Sequence, residues 1–335
     1  MQRIKEVCHK ATRHLSTLVV ESGSSWGLES SRLVSHYPEV LALPRADFIG
    51  NSRLLTRISQ IIEQAATSDA GVLIEGENGT GKEMIARIIV HRSPRAWEPF
   101  VVTNCAAMPE DELETNLFGV ENETSNGNGR QPGILETAQR GTLFLDQIGD
   151  LSLRLQAKLM KVLLEHEFER VGGRNRIETD TRVIAATDRS LESAVVEGSF
   201  RSDLYFCLST ALICLPPLRK HREDIPLFVW YFVEIYNKEF DRRIRGVGQD
   251  VLDVLMDYPW PGNVRELEDA LERSVLVCHS DSIRLSDLPP AVQHWQRNRQ
   301  PLTTSGFPEP QRRKERKEDV YPSAAVLSAA ACLQN

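Results

Sequence analysis

The sequence predicts an α/β fold, a three-layer αβα sandwich around a parallel sheet, followed by a small all-helical domain. First, an apolar run at 71–75 leads through a glycine-rich loop into a segment with Ile85, Ile88 and Ile89 at helical spacing. Second, further apolar runs of strand length alternate with helical patterns, which is typical of a parallel sheet covered on both faces. Third, only helical patterns follow Pro216 and Pro217.

The loop after the first strand has the spacing G-x-x-x-x-G-K. Its residues are Gly76, Glu77, Asn78, Gly79, Thr80, Gly81, Lys82 and Glu83. Glycines let backbone N–H groups approach phosphates, the helix N-terminus is partly positive, and the lysine can reach the β- and γ-phosphates. The alternative is an ordinary glycine-rich turn with a surface lysine, but the flanking strand and helix favour a phosphate loop. The general motif ends in Ser or Thr, which contacts Mg²⁺, whereas this loop ends in Glu83.

The other predicted strands lie at 100–103, 141–146, 181–187 and 211–215. The second of these ends in Asp146, and a carboxylate in this position beside a phosphate loop predicts a Mg²⁺ ligand that acts through water. The predicted helices lie at 54–66, 84–90, 111–118, 155–163, 225–240, 249–258 and 263–275. Residues 119–133 contain four glycines and are predicted to form an exposed loop.

Composition limits the class of protein. The 335 residues carry a formal net charge of −7, so the surface as a whole is not a nucleic-acid footprint. Six scattered cysteines without a C-x-x-C pair predict reduced thiols and a cytoplasmic location. No apolar run approaches the roughly 20 residues of a membrane span, so no membrane association is expected.

Four regions are predicted along the chain. Residues 1–46 form a leader that is too short for a separate sensory domain, 47–218 the nucleotide-binding α/β part, and 219–290 the helical part. Residues 291–335 are expected to be a disordered tail without a helix-turn-helix unit. A basic run at 312–317 lies in this tail, where it either contacts nucleic acid or is simply solvated.

The ordered segments resemble the AAA+ central domain of bacterial sigma-54-dependent transcription activators, the enhancer-binding proteins. The matching segments are 76–83, 104–107, 117–119, 141–146, 155–159, 182–187, 200–205, 215–219 and 260–267. The resemblance implies an AAA+ P-loop fold with a helical lid, ATP and Mg²⁺ at the interfaces of a ring of like subunits, and sigma-54 RNA polymerase as partner. The resembled family also ends its loop in Lys-Glu.

The resemblance also implies roles for single residues. Asn104 would sense the nucleotide and control the hydrolytic residue, Thr187 would lie in the first sensor segment, and Arg201 would reach the neighbouring subunit's γ-phosphate. Arg265 would be the second sensor, carried by the lid. From the residues alone, a helix cap at Asn104 and a solvated helix charge at Arg265 are the favoured interpretations.

The chain departs from the family at the hydrolytic positions. The family follows the strand aspartate with Glu, whereas this chain has Gln147, whose amide cannot accept a proton from water. A second arginine of the family, six residues after Arg201, is replaced by Cys207. Asp188 stands where the family usually has Asn.

Two further departures concern partners. The family's sigma-contacting GAFTGA loop aligns with residues 123–128, of which only Gly127 matches, so we expect no usual sigma-54 contact. The family's helix-turn-helix domain has no counterpart in residues 291–335. Either the gene is decaying or the protein is kept for binding rather than turnover.

Three hypotheses follow from these matches and departures. The first is an atypical AAA+ regulator that binds ATP and hydrolyses it slowly or not at all, in a ring with itself or related subunits. The second is a working ATPase activator in which Gln147 positions water. The third is a non-catalytic interaction protein.

Overall fold

The structure is a computed structural model that describes residues 52–121 and 130–299. Its strands are β1 (Val72–Glu75), β2 (Phe100–Asn104), β3 (Val120–Glu121), β4 (Arg130–Gln131), β5 (Thr142–Asp146), β6 (Glu167–Glu169), β7 (Arg176–Glu178), β8 (Arg182–Thr187) and β9 (Ala211–Cys214). Its helices are α1 (Arg53–Ala66), α2 (Lys82–His91), α3 (Glu110–Phe118), α4 (Ile134–Thr137), α5 (Leu153–Glu165), α6 (Leu191–Val196), α7 (Ser202–Leu208), α8 (Ile225–Glu239), α9 (Gln249–Asp257), α10 (Asn263–Val277) and α11 (Pro290–Arg299).

A five-stranded parallel sheet in the order β2-β5-β8-β1-β9 forms the centre of the first part. Alternate residues of each strand enter different cores, as a pleated strand requires. In β5, Leu143 and Leu145 pack under α3 and α5, whereas Phe144 packs under α1 and α2. Helices therefore cover both faces, and the predicted three-layer αβα sandwich is confirmed, with predicted element ends within two residues for most elements.

The lid, helices α8 to α11, has a separate core. Trp260 is fully buried there, donates its indole N–H to Leu255 O at 2.7 Å and contacts the Tyr258 ring edge-on. A buried tryptophan needs such a partner for its polar atom. Within residues 52–121 and 130–299, no helix has the length and apolarity needed to cross a bilayer.

The prediction that regular structure ends at Pro290 is wrong for residues 291–299, which form α11. Proline is well suited to the first position of a helix. Val292 is 2% exposed within the lid core, and the Trp295 ring lies 5.8 Å from that of Tyr258. With few apolar residues in this segment, helical periodicity is too weak to detect from sequence. Residues 300–335 and the predicted leader 1–46 lie outside the described part of the chain.

The predicted exposed loop at 119–133 is wrong at both its ends. Val120–Glu121 pairs antiparallel with Arg130–Gln131. Gly119 and Gly133 pack so closely that a Cβ on Gly133 would lie 2.4 Å from the nitrogen of Gly119. Residues 122–129, which include the whole segment aligned with GAFTGA, are outside the described residues.

The place of α11 in the lid core is tested by a charge at its buried face. Val292→Asp is expected to lower the free energy of unfolding by at least about 2 kcal/mol, because apolar burial is lost and a carboxylate enters the core. Urea denaturation of the full chain measures this. The neighbouring Ala291→Asp, at an exposed position, should change it by less than about 0.5 kcal/mol. Equal effects of the two variants would contradict the packing of α11.

Candidate nucleotide site

The carboxyl ends of the parallel strands bring the predicted site residues to one edge of the sheet. Asn104 pairs in register with Asp146, and Glu75 with Thr187. The glycine loop follows β1 at this edge, and Gly76 N–H donates to Thr187 O at 3.1 Å. In open α/β sheets this edge is where ligands bind.

Lys82 is held by the loop that precedes it. Its side chain is buried, and Nζ donates to Gly76 O at 2.7 Å and to Glu77 O at 3.2 Å. Burial lowers the pKa of Lys82, while the charges of Asp146 and Asp188 oppose that shift. The ammonium group thus lies over the loop that leads into α2, a helix whose first N–H groups have no partner within the helix. A lysine and a helix N-terminus together suit a phosphate group.

Glycine is required within the loop for two different reasons. Gly81 precedes α2 at φ 93°, a left-handed conformation that favours glycine. A Cβ on Gly79 would lie 2.1 Å from Gly262 O in the lid. Any larger residue at position 79 would therefore push the lid away from the loop.

Asp146 lies beside Lys82, half-buried at the end of β5. Burial raises the pKa of its carboxyl group, and the charge of Lys82 counteracts this rise. Its Oδ1 accepts the N–H of Gln147 at 3.0 Å. Within the described ranges, no group of three or more His, Cys, Asp or Glu side chains is arranged to hold a metal ion. A Mg²⁺ ion at Asp146 would therefore need phosphate and water oxygens, which is how proteins usually bind it with nucleotides.

Glu83 is engaged along its own helix. Its carboxylate accepts from Arg87 at 2.6 Å, and the Arg87 guanidinium lies 4.8 Å from the Phe100 ring centre. The residue that stands where the general motif has Ser or Thr is thus paired within α2 rather than with Lys82.

The lid binds the loop through backbone hydrogen bonds. Gly79 O accepts the N–H groups of Val264 at 3.0 Å and Arg265 at 3.2 Å. Asn263 Nδ2 donates to Asn78 O at 2.9 Å. These contacts place Arg265 at the site, where its charge adds to the lowering of the Lys82 pKa and partly offsets the rise in the Asp146 pKa.

An ion pair adds to this contact. Arg219 donates to both carboxylate oxygens of Glu77, at 2.5 and 2.7 Å, and Asn263 donates to the same carboxylate at 3.2 Å. The Arg219 hydrogen bonds lower the pKa of Glu77 to about 2. Arg219 and Asn263 are site residues that sequence reasoning did not single out, because 142 and 186 residues separate them from Glu77.

The remaining predicted site residues lie at different distances from the loop. Asn104 Oδ1 accepts Ala106 N–H at 2.8 Å, which closes a local turn and not the helix cap that the residues alone suggested, because α3 begins only at Glu110. The Thr187 side chain is fully buried and its Oγ1 accepts Arg189 N–H at 3.3 Å, while its backbone oxygen accepts the N–H of the loop residue Gly76. Gln147 and Asp188, by contrast, both hydrogen-bond the loop residue Asn78.

Arg201 and Cys207 lie together on and beside α7, away from the loop contacts. The exposed Arg201 guanidinium pairs with Asp203 at 2.7 Å. Burial raises the pKa of the Cys207 thiol, so the group stays neutral at pH 7 and supplies no positive charge.

The Glu77–Arg219 pair makes stability depend on pH in a defined direction. Because the folded pKa of about 2 lies below the ordinary 4.5, the pair stabilises the fold fully above about pH 5, and this contribution falls as pH drops from 4.5 towards 2. Glu77→Gln should lower the free energy of unfolding by less than about 1 kcal/mol at pH 7, since the pair is partly exposed. Urea denaturation between pH 7 and pH 3 should show this difference shrinking. Glu98→Gln, at an exposed position, should show no such trend, and a difference that grows at low pH would contradict the assignment.

Family comparisons agree with this architecture. The sigma-54 interaction domain matches residues 48–214, and the AAA+ ATPase lid domain matches residues 219–305. The regulatory protein AtoC of Escherichia coli is 44% identical over 257 residues, 76% of this chain and 54% of AtoC. The Nif-specific regulatory protein of Herbaspirillum seropedicae is 46% identical over 236 residues, 70% of this chain and 44% of that protein.

A similar solved structure is NtrX from Brucella abortus in complex with ATP. It shares 34% identity and a TM-score of 0.70, covering 80% of this chain and 59% of the NtrX chain. An NtrX complex with ADP gives a TM-score of 0.69. The chain spans about half the length of the curated relatives it matches. By its two matched domains and these relatives, the chain belongs to the AAA+ family of the sigma-54-dependent activators.

Proposed function

We propose that this protein is an AAA+ transcription regulator that binds ATP through residues 76–83 and hydrolyses it slowly or not at all. One observation carries the proposal. Lys82 lies over the loop and the lid holds Gly79, while the residue beside Asp146 is the amide Gln147. The solved NtrX complexes with ATP and ADP support nucleotide binding in a chain of this fold.

The nucleotide-binding roles are assigned to the residues at the loop. Lys82 and the N-terminus of α2 would bind the phosphates, and Arg265 would add positive charge from the lid. Asp146 would hold Mg²⁺ through water, and the ion would neutralise developing charge on the phosphates. Asn104 and Thr187 would report the state of the nucleotide from the ends of β2 and β8.

Slow hydrolysis follows from the residues at two positions. Gln147 can hydrogen-bond a water molecule but cannot take its proton, and losing a general base typically costs about 10²–10⁴ in rate. The neutral Cys207 replaces an arginine, and a missing arginine finger can cost about 10³–10⁵. Together these replacements favour binding over turnover.

Assembly and partners are the less direct part of the proposal. Arg201 is exposed and pairs with its near neighbour Asp203, which supports a ring in which this side chain reaches a copy of this chain or a related AAA+ subunit. Because residues 123–128 lack most of GAFTGA, contact with sigma-54 RNA polymerase would use another surface or a partner subunit. Reduced cysteines support a cytoplasmic location.

A second candidate is a working activator in which Gln147 positions water. The hydrogen bond from the Gln147 amide to Asn78 supports this candidate, because it holds the side chain in one orientation. Turnover rate separates the two candidates, whereas failure to bind nucleotide would favour the non-catalytic interaction protein.

The proposal predicts binding without ordinary turnover in one sample. The purified 335-residue chain should bind ATP below millimolar concentration, and phosphate release with Mg²⁺ should stay below about 0.1 s⁻¹, since ordinary enzymes turn over near 10 s⁻¹. Calorimetric titration, a phosphate-release assay and size-exclusion mass measurement with and without ATP test this. Ordinary turnover, or no binding at millimolar ATP, would contradict it.

Two lysine variants separate loop binding from nonspecific charge. Lys82→Ala should weaken ATP binding about 10- to 100-fold, because a charge-assisted hydrogen bond to phosphate is lost. Lys161→Ala, on the exposed side of α5, should leave binding unchanged. Equal losses in both variants would show that ATP is not held by the loop.

A further inference from the structure

Three polar side chains from separate elements form one hydrogen-bonded chain across the site. Gln147 Nε2 donates to Asn78 Oδ1 at 3.1 Å, and Asn78 Nδ2 donates to Asp188 Oδ2 at 2.9 Å. Gln147 follows β5, Asn78 belongs to the glycine loop, and Asp188 follows β8. These two hydrogen bonds therefore join the ends of two sheet strands through the loop.

The Asp188 carboxylate sets the direction of both hydrogen bonds. An ionised carboxylate only accepts hydrogen bonds, whereas an amide has a donating and an accepting end. Asp188 therefore turns the NH₂ group of Asn78 towards itself, which leaves Asn78 Oδ1 for position 147. The residue at 147 must then donate, as a glutamine does and an ionised glutamate cannot.

The same contacts leave one acceptor available. With Nε2 committed to Asn78, the Oε1 atom of Gln147 meets no protein donor among the described residues. A carbonyl oxygen of this kind can accept a hydrogen bond from water. Gln147 itself has φ 55° and ψ 45°, so its backbone is also fixed in one of the less common conformations.

We propose that Asp188 is a positioning residue that acts through Asn78 to orient the Gln147 amide, and that the residues at 147 and 188 work only as a matched pair. A glutamine at 147 requires a carboxylate at 188, and a glutamate at 147 requires an amide at 188. This inference rests on the proposed nucleotide site. It turns two separate departures from the family pattern into one coupled exchange.

A double-mutant cycle tests the coupling directly. In Gln147→Glu alone, the new carboxylate faces the Asn78 Oδ1 acceptor and adds a second negative charge beside the phosphate site, so ATP binding should weaken about tenfold without a gain in turnover. In Asp188→Asn alone, the Gln147 amide loses its fixed orientation, so turnover should fall about 3- to 10-fold while ATP affinity is not weakened. A purely structural role for Asp188 would not split the two quantities in this way.

The double variant Gln147→Glu/Asp188→Asn reverses the donor and acceptor roles in these two hydrogen bonds. The new amide at 188 can donate to Asn78 Oδ1, and Asn78 Nδ2 can donate to the new carboxylate at 147. ATP affinity should return to within about threefold of the wild type, and turnover should rise at least tenfold above it, because a proton acceptor is restored. Gln60→Glu, on the exposed side of α1, controls for added charge and should change nothing.

The double-mutant cycle is measured in two ways, so that a failure of this inference can be distinguished from a failure of the proposed function. ATP affinity and turnover are measured with Mg²⁺ and ATP, and urea unfolding is measured on the same four proteins without nucleotide. In unfolding, the destabilisation by Gln147→Glu should be largely recovered in the double variant even if the chain binds no ATP. Additive effects within about twofold, or a turnover gain in Gln147→Glu alone that equals that of the double variant, would overturn the inference.

Discussion

The carbonyl oxygen of Gly79 joins the two halves of the molecule. It accepts two backbone N–H groups from the start of α10, while the Gly79 backbone lies too close to Gly262 for any side chain to fit between them. Because backbone contacts define this arrangement, the lid and loop meet in one register. Arg265 and Asn263 are brought to the site as a consequence, and the Glu77–Arg219 ion pair lies around the same contact.

The charges at the site favour nucleotide binding over turnover. Lys82 is buried beside Asp146, and each charge favours the ionised form of the other against the cost of burial. This pair suits phosphate and Mg²⁺. The negative charge that the family places directly after Asp146 is absent at Gln147, and Asp188 carries one on the far side of Asn78. The site thus keeps its carboxylates but changes where they lie.

Local patterns predicted the sheet, the loop and the main helices, because apolar runs and glycine spacing act over a few residues. Helix α11 was not predicted, because Val292 and Trp295 are its main apolar contacts. Strands β6 and β7 were not predicted, because three-residue strands leave little pattern. The contacts that define the site are long-range: Asn78 and Asp188 are 110 residues apart. The sequence showed that positions 147 and 188 differ from the family, but only the fold shows that one loop residue connects them.

The proposed function depends on nucleotide binding by residues 76–83 while the lid is held to Gly79. A crystal structure of the full chain grown with ATP and Mg²⁺ tests it most directly. We expect Lys82 Nζ to donate to a phosphate oxygen, with the Val264 and Arg265 N–H groups still bound to Gly79 O. Nucleotide bound away from residues 76–83, or a lid released from Gly79 when the phosphates bind, would contradict it.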